Sequence, residues 1–224
     1  MYEKYIKRFF DIVLCSVGFI VLSPIFLVSA AAIKLSSPGP VFYYSDRVGK
    51  NRKPFHFYKF RSMHVTKEDK HLCVGDADRI FPYGKIMRRL KIDELPQLLN
   101  VILGDMSIVG PRPMMTHSVD KFYSGKYAEV LNVKPGLTSA ASLYDYIIGD
   151  TYQDDAAYRR EVVPIKQEME LMYVRRQSFL YDCELVIRTI TTIIQVFFGK
   201  KNYKECPEYR EAVENLRRDE AARK

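Results

Sequence analysis

Tryptophan is absent from the 224 residues, and cysteine and histidine are scarce at four each. The cysteines stand at 15, 73, 183 and 206, with no CxxC and no close pairing. That spacing excludes a disulfide scaffold and a zinc ribbon, and it points to a reducing compartment or to thiols that face one. His56, His64, His71 and His117 lack metal-ligand spacing. There is no GxGxxG, no P-loop, no HExxH and no GxSxG, so the common nucleotide-binding, zinc-protease and serine-hydrolase signatures are missing. Internal repeats and low-complexity segments are missing too. A mean hydropathy of −0.19 excludes a polytopic membrane protein, though not one short hydrophobic insert. With 47% apolar residues the chain can bury a core, so one domain with appendages is expected.

What the chain does have is positive charge, +8 in all, which favours an anionic partner. It is unevenly placed. Residues 1–63 carry ten Lys and Arg against Glu3, Asp11 and Asp46. Inside this basic region lies an uncharged run of 22 residues, Ile12 to Ile33. Cations beside an apolar run mark a membrane surface. A secretory signal fits poorly, because no small-residue cleavage site precedes a polar mature start. A single spanning helix of about 20 residues is the simplest alternative. Against it, Ser23-Pro24 interrupts the middle of the run. Both flanks are also basic, and the positive-inside rule sends both to the cytoplasm. A re-entrant helix, broken at Ser23-Pro24 and leaving on the face it entered, satisfies both observations, with Ser23 placed to help the backbone freed at Pro24.

Further on, Pro38-Gly39-Pro40 is a breaker. Val41 to Tyr44 reads as a strand, Gly49 to Arg52 as a turn, and Phe55 to Arg61 as a return strand. Period two puts Phe55, Phe57, Lys59 and Arg61 on one face. Residues 64–78 read as a polar loop, and Arg79 to Lys91 as a basic stretch. Asp93 opens a helical pattern, with Leu95, Leu98, Leu99, Ile102 and Leu103 on one face and Asp93, Gln97 and Asn100 on the other. Gly104 ends it. Residues 109–113 form a rigid loop around two prolines, and Pro135-Gly136 marks a turn. Asp154 to Gln177 reads as helical, interrupted at Pro164. Residues 186–198 form one apolar helical face, which suits a core helix or one lying in the membrane plane. The tail from Lys200 is dense in both charges and reads as a solvated helix or frayed end.

The chemistry concentrates at Arg88 to Glu94, where two vicinal carboxylates follow a cluster of cations. On its own, Asp93 reads as a helix N-cap. The wider pattern reads as phosphoryl chemistry. A carboxylate can attack phosphorus and form an aspartyl-phosphate type intermediate. Lys59, Arg61, Arg88 and Arg112 supply cations for the phosphate oxygens. A vicinal Glu94 suits Mg²⁺, which favours one or two carboxylates plus phosphate oxygens. A helix N-terminus would attract phosphate as well.

These residues carry a resemblance. The block from Lys91 to Val101, followed by Gly104 to Pro113, closely resembles the bacterial sugar transferase family, the monotopic polyprenyl-phosphate phosphoglycosyl transferases. Phe9-Phe10-Asp11, Ser23-Pro24, Ser37 to Val41, Arg47-Val48-Gly49, Tyr58 to Met63, Lys134 to Thr138, Tyr173-Val174 and Thr189-Ile190 match in the same order. The resemblance covers residues from about 5 to 198, and 91–113 is its most specific part.

The resemblance implies transfer of a sugar 1-phosphate from a UDP-sugar to membrane polyprenyl (undecaprenyl) phosphate, giving UMP and polyprenyl diphosphate-sugar and so starting glycoconjugate assembly. Asp93 would be the nucleophile of a ping-pong reaction and Glu94 the Mg²⁺ ligand. Lys59, Arg88 and Arg112 would contact phosphate. It implies a bacterial inner-membrane protein, monotopic, with its site on the cytoplasmic face. The implied fold is α+β, mostly helical with a small β-hairpin and amphipathic interfacial helices. Residues 1–36 would form the membrane insert, 37–199 the catalytic domain and 200–224 a charged tail, which looks like a minimal catalytic unit. One segment departs from the pattern. Many relatives follow Pro-Gly with Gly-Trp/Leu-Ala-Gln-Val, whereas here Leu137-Thr138-Ser139 runs on to Asp145. Thr138 and Asp145 are candidates for nucleotide or sugar contact there. Two other classes fit parts of the sequence. A membrane phosphohydrolase would release sugar phosphate without lipid, and a basic lipid-binding scaffold would not need Asp93. Nothing resembles a nucleic-acid module.

Overall fold

The computed structural model describes residues 2–64, 79–152, 154–199 and 206–222. The polar loop expected over 64–78 falls outside them from residue 65 onward. A π-helical stretch, Tyr2–Lys7, runs directly into α1 (Arg8–Val21). At Leu22 the chain bends by 58° into α2 (Ser23–Ser36). Pro24 sits in the first turn of α2, where its missing N–H leaves no gap in the ladder. No single described helix is long and apolar enough to cross a membrane, and this bent pair passes that test only when taken together. Outward-facing Ile20, Val21, Leu27, Val28 and Leu35 are exposed.

The inner side of α1 is fastened by polar groups. Arg8 donates to the Val101 and Ile102 carbonyls at 2.5 and 2.8 Å, and Asp11 Oδ1 accepts the Ile108 N–H at 2.9 Å. Buried Lys7 pairs with Asp182, and Tyr173 donates to the same carboxylate at 2.9 Å. These bonds explain why charges stand so close to an apolar run: they tie it to the rest of the fold.

β1 (Phe42–Val48) and β2 (Pro54–Phe60) form an antiparallel hairpin, with Phe42 opposite Phe60 and Val48 opposite Pro54. The turn places Asn51 and Arg52 at positive φ. Beyond it come α3 (Pro82–Arg89) and α4 (Gln97–Leu103), the latter closed by Gly104 at φ 100°. The polar face of α4 points inward. Asn100 is fully buried, accepts the Tyr58 N–H at 3.1 Å and donates to the His56 carbonyl at 2.7 Å, so it stands in for a missing strand beside β2. Leu103, expected on the packed face, is 67% exposed.

A short parallel pair, β3 (Ser107–Val109) and β4 (Gly136–Thr138), has no counterpart in the sequence reading. Three-residue strands are too short for a period to show. Between them lie α5 (Val119–Phe122) and a 3₁₀ stretch, Gly125–Asn132. The largest core gathers around this pair, under α6 (Ala140–Ile148), α8 (Val163–Arg176) and α9 (Phe179–Phe197). The short α7 (Asp155–Glu161) precedes α8, with the break one residue ahead of Pro164's turn.

The charged C-terminal segment forms the helix that was one of its two readings, but the helix is docked and not simply solvated. α10 (Pro207–Ala222) docks on the core with Ala212 fully buried. Its charges find partners: buried Glu208 binds Arg188 at 2.9 Å and accepts from Tyr181, and Asp219 binds Lys126 at 2.6 Å. Paired charges let a polar helix pack where apolar spacing alone predicts a solvated one. Residues 186–198 lie on α9, which has one side in the core and an apolar side open. Ile187, Ile190, Ile194 and Phe197 are each at least half exposed, while Asp182, Leu185, Thr192 and Val196 are buried.

Candidate active site

The two carboxylates do not begin a helix. Ile92–Glu94 is a separate 3₁₀ turn, entered through Lys91 in the left-handed region (φ 58°, ψ 20°), and Pro96 caps α4. The N-cap role for Asp93, and the helix-dipole argument with it, therefore fall away. Asp93 is 6% exposed, and among the described residues its Oδ1 has no hydrogen-bond partner. A structural cap would be bonded; this oxygen is free to meet something else.

Glu94 is held differently. Its Oε1 lies 3.0 Å from Lys59 Nζ, 2.9 Å from an Arg112 nitrogen and 3.8 Å from Lys91 Nζ. Burial would raise its pKa, but Arg112, Lys59 and Lys91 outweigh burial and hold the carboxyl well below the ordinary range. Asp93 goes the other way. Burial raises it and neighbouring Glu94 adds to the rise, while Lys59, 4.0 Å away, only partly opposes. Two adjacent carboxylates are thus split into one fixed anion and one costly, unsatisfied one. That division is a signature of functional sites.

Each cation has its own support. Lys59 stands on β2 with its ammonium over the Phe57 ring. Lys91 sits over the Tyr146 ring at 4.6 Å, and burial lowers its pKa. Arg112 lies between Pro111 and Pro113, neither of which has an N–H. The Arg112 N–H is that tripeptide's one backbone donor, and buried Glu170 accepts it at 3.2 Å. Tyr123 donates to the other Glu170 oxygen at 2.5 Å. Glu170 and Tyr123 were not anticipated. The available signal was a lone carboxylate inside the apolar run Met169 to Tyr173.

Two cavities meet at Asp93. The larger, about 1160 Å³, reaches from the carboxylates to Asp145, Tyr146, Tyr152 and Tyr158. The smaller, about 440 Å³, lies against the hairpin and includes Arg47, Phe60 and Met115. Both are walled by Lys59, Arg88 and Asp93. Arg88 donates to Ser62 Oγ at 3.0 Å and to Met63 Sδ at 3.1 Å.

Asp145 faces the larger cavity, where it pairs with Lys166 at 2.8 Å and accepts from Tyr158 at 2.5 Å. Thr138 lines neither cavity. It is buried in β4 and hydrogen-bonded to Thr189 at 2.7 Å, so the structure separates these two candidates. Arg61, expected among the phosphate cations, spends three bonds on the Ser37 hydroxyl, the Ser37 carbonyl and the Pro38 carbonyl. Those bonds lock the exit of α2 to the hairpin. Ser23 and Pro24 lie at the bend between α1 and α2.

No group of three His, Cys, Asp or Glu side chains that could hold a metal occurs among the described residues. Asp93 and Glu94 alone place two carboxylates together, and a divalent cation there would need oxygens from elsewhere.

Sequence comparison identifies the family. Residues 2–196 match the model of the family described as bacterial sugar transferase. An Aeromonas hydrophila UDP-N-acetylgalactosamine-undecaprenyl-phosphate N-acetylgalactosaminephosphotransferase is 38% identical over 199 residues, covering 86% of this chain and 44% of that protein. The UDP-glucose:undecaprenyl-phosphate glucose-1-phosphate transferase of Escherichia coli (strain K12) is 36% identical, covering 84% of this chain and 40% of the relative. The chain thus spans less than half the length of these two. By contrast it covers 96% of the exopolysaccharide production protein PSS of Rhizobium leguminosarum bv. phaseoli, at 36% identity. The carboxylate pair, its cations and the Pro-Arg-Pro clamp all fall inside the matched region, and the chain belongs to the bacterial sugar transferase family.

Proposed function

We propose that the chain transfers a sugar 1-phosphate from a UDP-sugar to a membrane polyprenyl phosphate, with Asp93 as nucleophile. One observation carries the reading: at the junction of two cationic cavities, Glu94 is neutralised by three cations while the Asp93 Oδ1 beside it is buried without a partner among the described residues. The same transfer chemistry stands in the names of relatives that cover most of this chain.

In the first half-reaction an Asp93 oxygen bonds to the sugar-proximal phosphorus, and the bond to UMP breaks. In the second, a polyprenyl phosphate oxygen bonds to that phosphorus, and Asp93 is released as carboxylate. Lys59 and Arg88, on the walls of both cavities, gather the charge that spreads over the phosphoryl oxygens. Arg112 fixes Glu94 and stays in register because Glu170 holds its backbone. The residues fit Mg²⁺ in the sense that two vicinal carboxylates, one with an unpartnered oxygen, supply part of an oxygen shell that substrate phosphates and water complete. Bound there, Mg²⁺ would neutralise developing charge on the phosphates.

The apolar surface of α1, α2 and α9 supports placement in a membrane interface, with α1 and α2 as a re-entrant pair and the site on the cytoplasmic side. The test is UMP release from a panel of UDP-sugars with Mg²⁺, with and without polyprenyl phosphate, in wild type and Asp93→Asn. Lipid-linked sugar and UMP from wild type alone support the transferase. Free sugar phosphate formed without lipid would assign a hydrolase, and undiminished turnover by Asp93→Asn would refute the nucleophile.

A further inference from the structure

A buried polar cluster lies outside both cavities, where α1 and α9 meet the loop that carries Arg112. Tyr2 and Lys7 stand five residues apart in the π-helical entry to α1. The i→i+5 bonding of a π-helix sets such residues one turn apart on one side. Both donate to Asp182 Oδ2 in the first turn of α9, Tyr2 at 2.5 Å. Lys7 also donates to the Tyr173 hydroxyl of α8 at 2.9 Å. That hydroxyl has one proton to give and two acceptors within reach, Asp182 Oδ1 at 2.9 Å and the Val109 carbonyl at 3.1 Å. Lys7, Val109, Tyr173 and Asp182 are all buried. Burial, and then Asp182, raise the Tyr173 pKa, so the group stays a hydroxyl. Apolar side chains of similar volume are often as stable as a buried ion pair, so stability alone does not account for these polar groups.

Their place in the fold does. Tyr173 follows Glu170 by three residues, on the same face of α8. Glu170 accepts the Arg112 N–H at 3.2 Å, and Tyr173 reaches the Val109 carbonyl, so α8 grips the segment at both ends. What lies between has little freedom. A Cβ on Gly110 would lie 2.5 Å from the Lys134 carbonyl oxygen, and the ring of Pro111 fixes its own φ. A shift at Val109 is therefore passed on to Arg112 and not absorbed. Arg112 in turn meets Glu94 through a 2.9 Å hydrogen bond, which weakens steeply with misalignment.

We propose that Tyr173 is a positioning residue for the transfer: held by Lys7 and Asp182, its hydroxyl sets the start of the 109–113 loop so that Arg112 stays on Glu94. It touches neither substrate nor the reacting atoms. Through it α1 and α9, whose outer faces are apolar, share one buried hydroxyl with the active-site loop. This rests on the transfer reaction proposed above and deepens it.

The experiment uses detergent-solubilised full chain with a UDP-sugar, Mg²⁺ and polyprenyl phosphate. Tyr173→Phe keeps the buried ring, and Asp182 keeps Lys7 and Tyr2, so the fold is retained, which a melting curve checks. Its kcat falls on the order of fivefold. Beside Arg112→Gln the same change costs nothing further, because holding the loop no longer serves a guanidinium. Tyr181→Phe is the comparison. It removes a similar hydroxyl bond, to Glu208 at 2.9 Å, away from the loop, and any loss it causes is equal in both backgrounds. Amide hydrogen exchange reads the loop without turnover: Tyr173→Phe speeds exchange in residues 109–113 and leaves the β1–β2 hairpin as in wild type. An equal loss from Tyr173→Phe with and without Arg112, a wild-type kcat, or wild-type exchange in the loop would each overturn the positioning role. So would a Tyr173→Phe chain that fails to fold, since the hydroxyl would then hold the whole fold and not the loop. None of these would touch the parent reaction, which fails only if Asp93→Asn turns over.

Discussion

Replacing Arg112 by Gln tests how Glu94 is kept ionised. The guanidinium makes a 2.9 Å charge-assisted bond to Glu94 Oε1, and the carboxylate side chain is 14% exposed. Breaking an isolated buried pair costs about 3–5 kcal/mol. Glu94 would not be isolated, because Lys59 stays at 3.0 Å and Lys91 at 3.8 Å. The loss is then one hydrogen bond to a charged group, about 1.5–3 kcal/mol. Arg112 is 31% exposed, so screening favours the lower half of that range, roughly a ten- to fortyfold fall in rate. The pH dependence carries the sign. In wild type Arg112, Lys59 and Lys91 hold Glu94 below the ordinary range against the upward push of burial. With Arg112 gone, burial gains and Glu94 takes up a proton at higher pH. The acid limb of the UMP-release profile moves upward, and the deficit is deepest in acid. The assay is initial UMP release against pH, with Arg112→Lys alongside to restore the charge without the planar fork. A loss of equal size at every pH, or no loss, would refute the reasoning.

Asp93→Asn should abolish UMP release yet raise thermal stability at neutral pH. Burial raises the folded-state pKa of Asp93, so its stabilising contribution is present below the unfolded pKa and is lost as pH rises through the folded value. The melting difference between variant and wild type should vanish in acid, and a less stable variant at neutral pH would contradict this. Gly136→Ala should lower the melting temperature and weaken UMP release together. A Cβ there would lie 2.6 Å from Gly110 Cα and O, forcing β3 from β4 at about 1–3 kcal/mol and displacing the Pro-Arg-Pro clamp; wild-type melting would show that the contact relaxes freely. Ile187→Asp with Ile194→Asp should release the protein from sedimenting lipid vesicles while leaving its detergent melting curve in place, since both side chains are exposed; unchanged sedimentation would remove α9 from the interface.

Much of this protein was legible because its signals are local. An uncharged run with Ser23-Pro24 at its centre specifies a broken helix pair, because proline acts within a turn of its own position. The hairpin followed from aromatic strands around a turn, and Gly104 and Pro164 punctuate the chain near where helices stop and start. The carboxylate pair between cations marked the chemistry.

Other features exist only through contacts between distant residues. Asp93 looked like a helix cap until the 3₁₀ turn removed the helix from it. Arg61 shares a strand face with Lys59 by periodicity, yet the Ser37-Pro38 turn captures it. Period alone puts Gln97 and Asn100 on the face opposite the leucines, and charge density reads the tail as a solvated helix or frayed end. Asn100 bonding to β2, and Glu208 and Asp219 meeting cations on other elements, bring both inside. Glu170 is one acid in an apolar run until folding sets it under the sole N–H of the Pro-Arg-Pro loop. The amino-acid order by itself determined where the chain breaks, which stretches avoid water and which residues carry charge. Which charges are neutralised, and which single carboxylate oxygen is left unsatisfied between two cavities, depends on side chains far apart in sequence arriving within about 3–4 Å, and only the tertiary structure decides that.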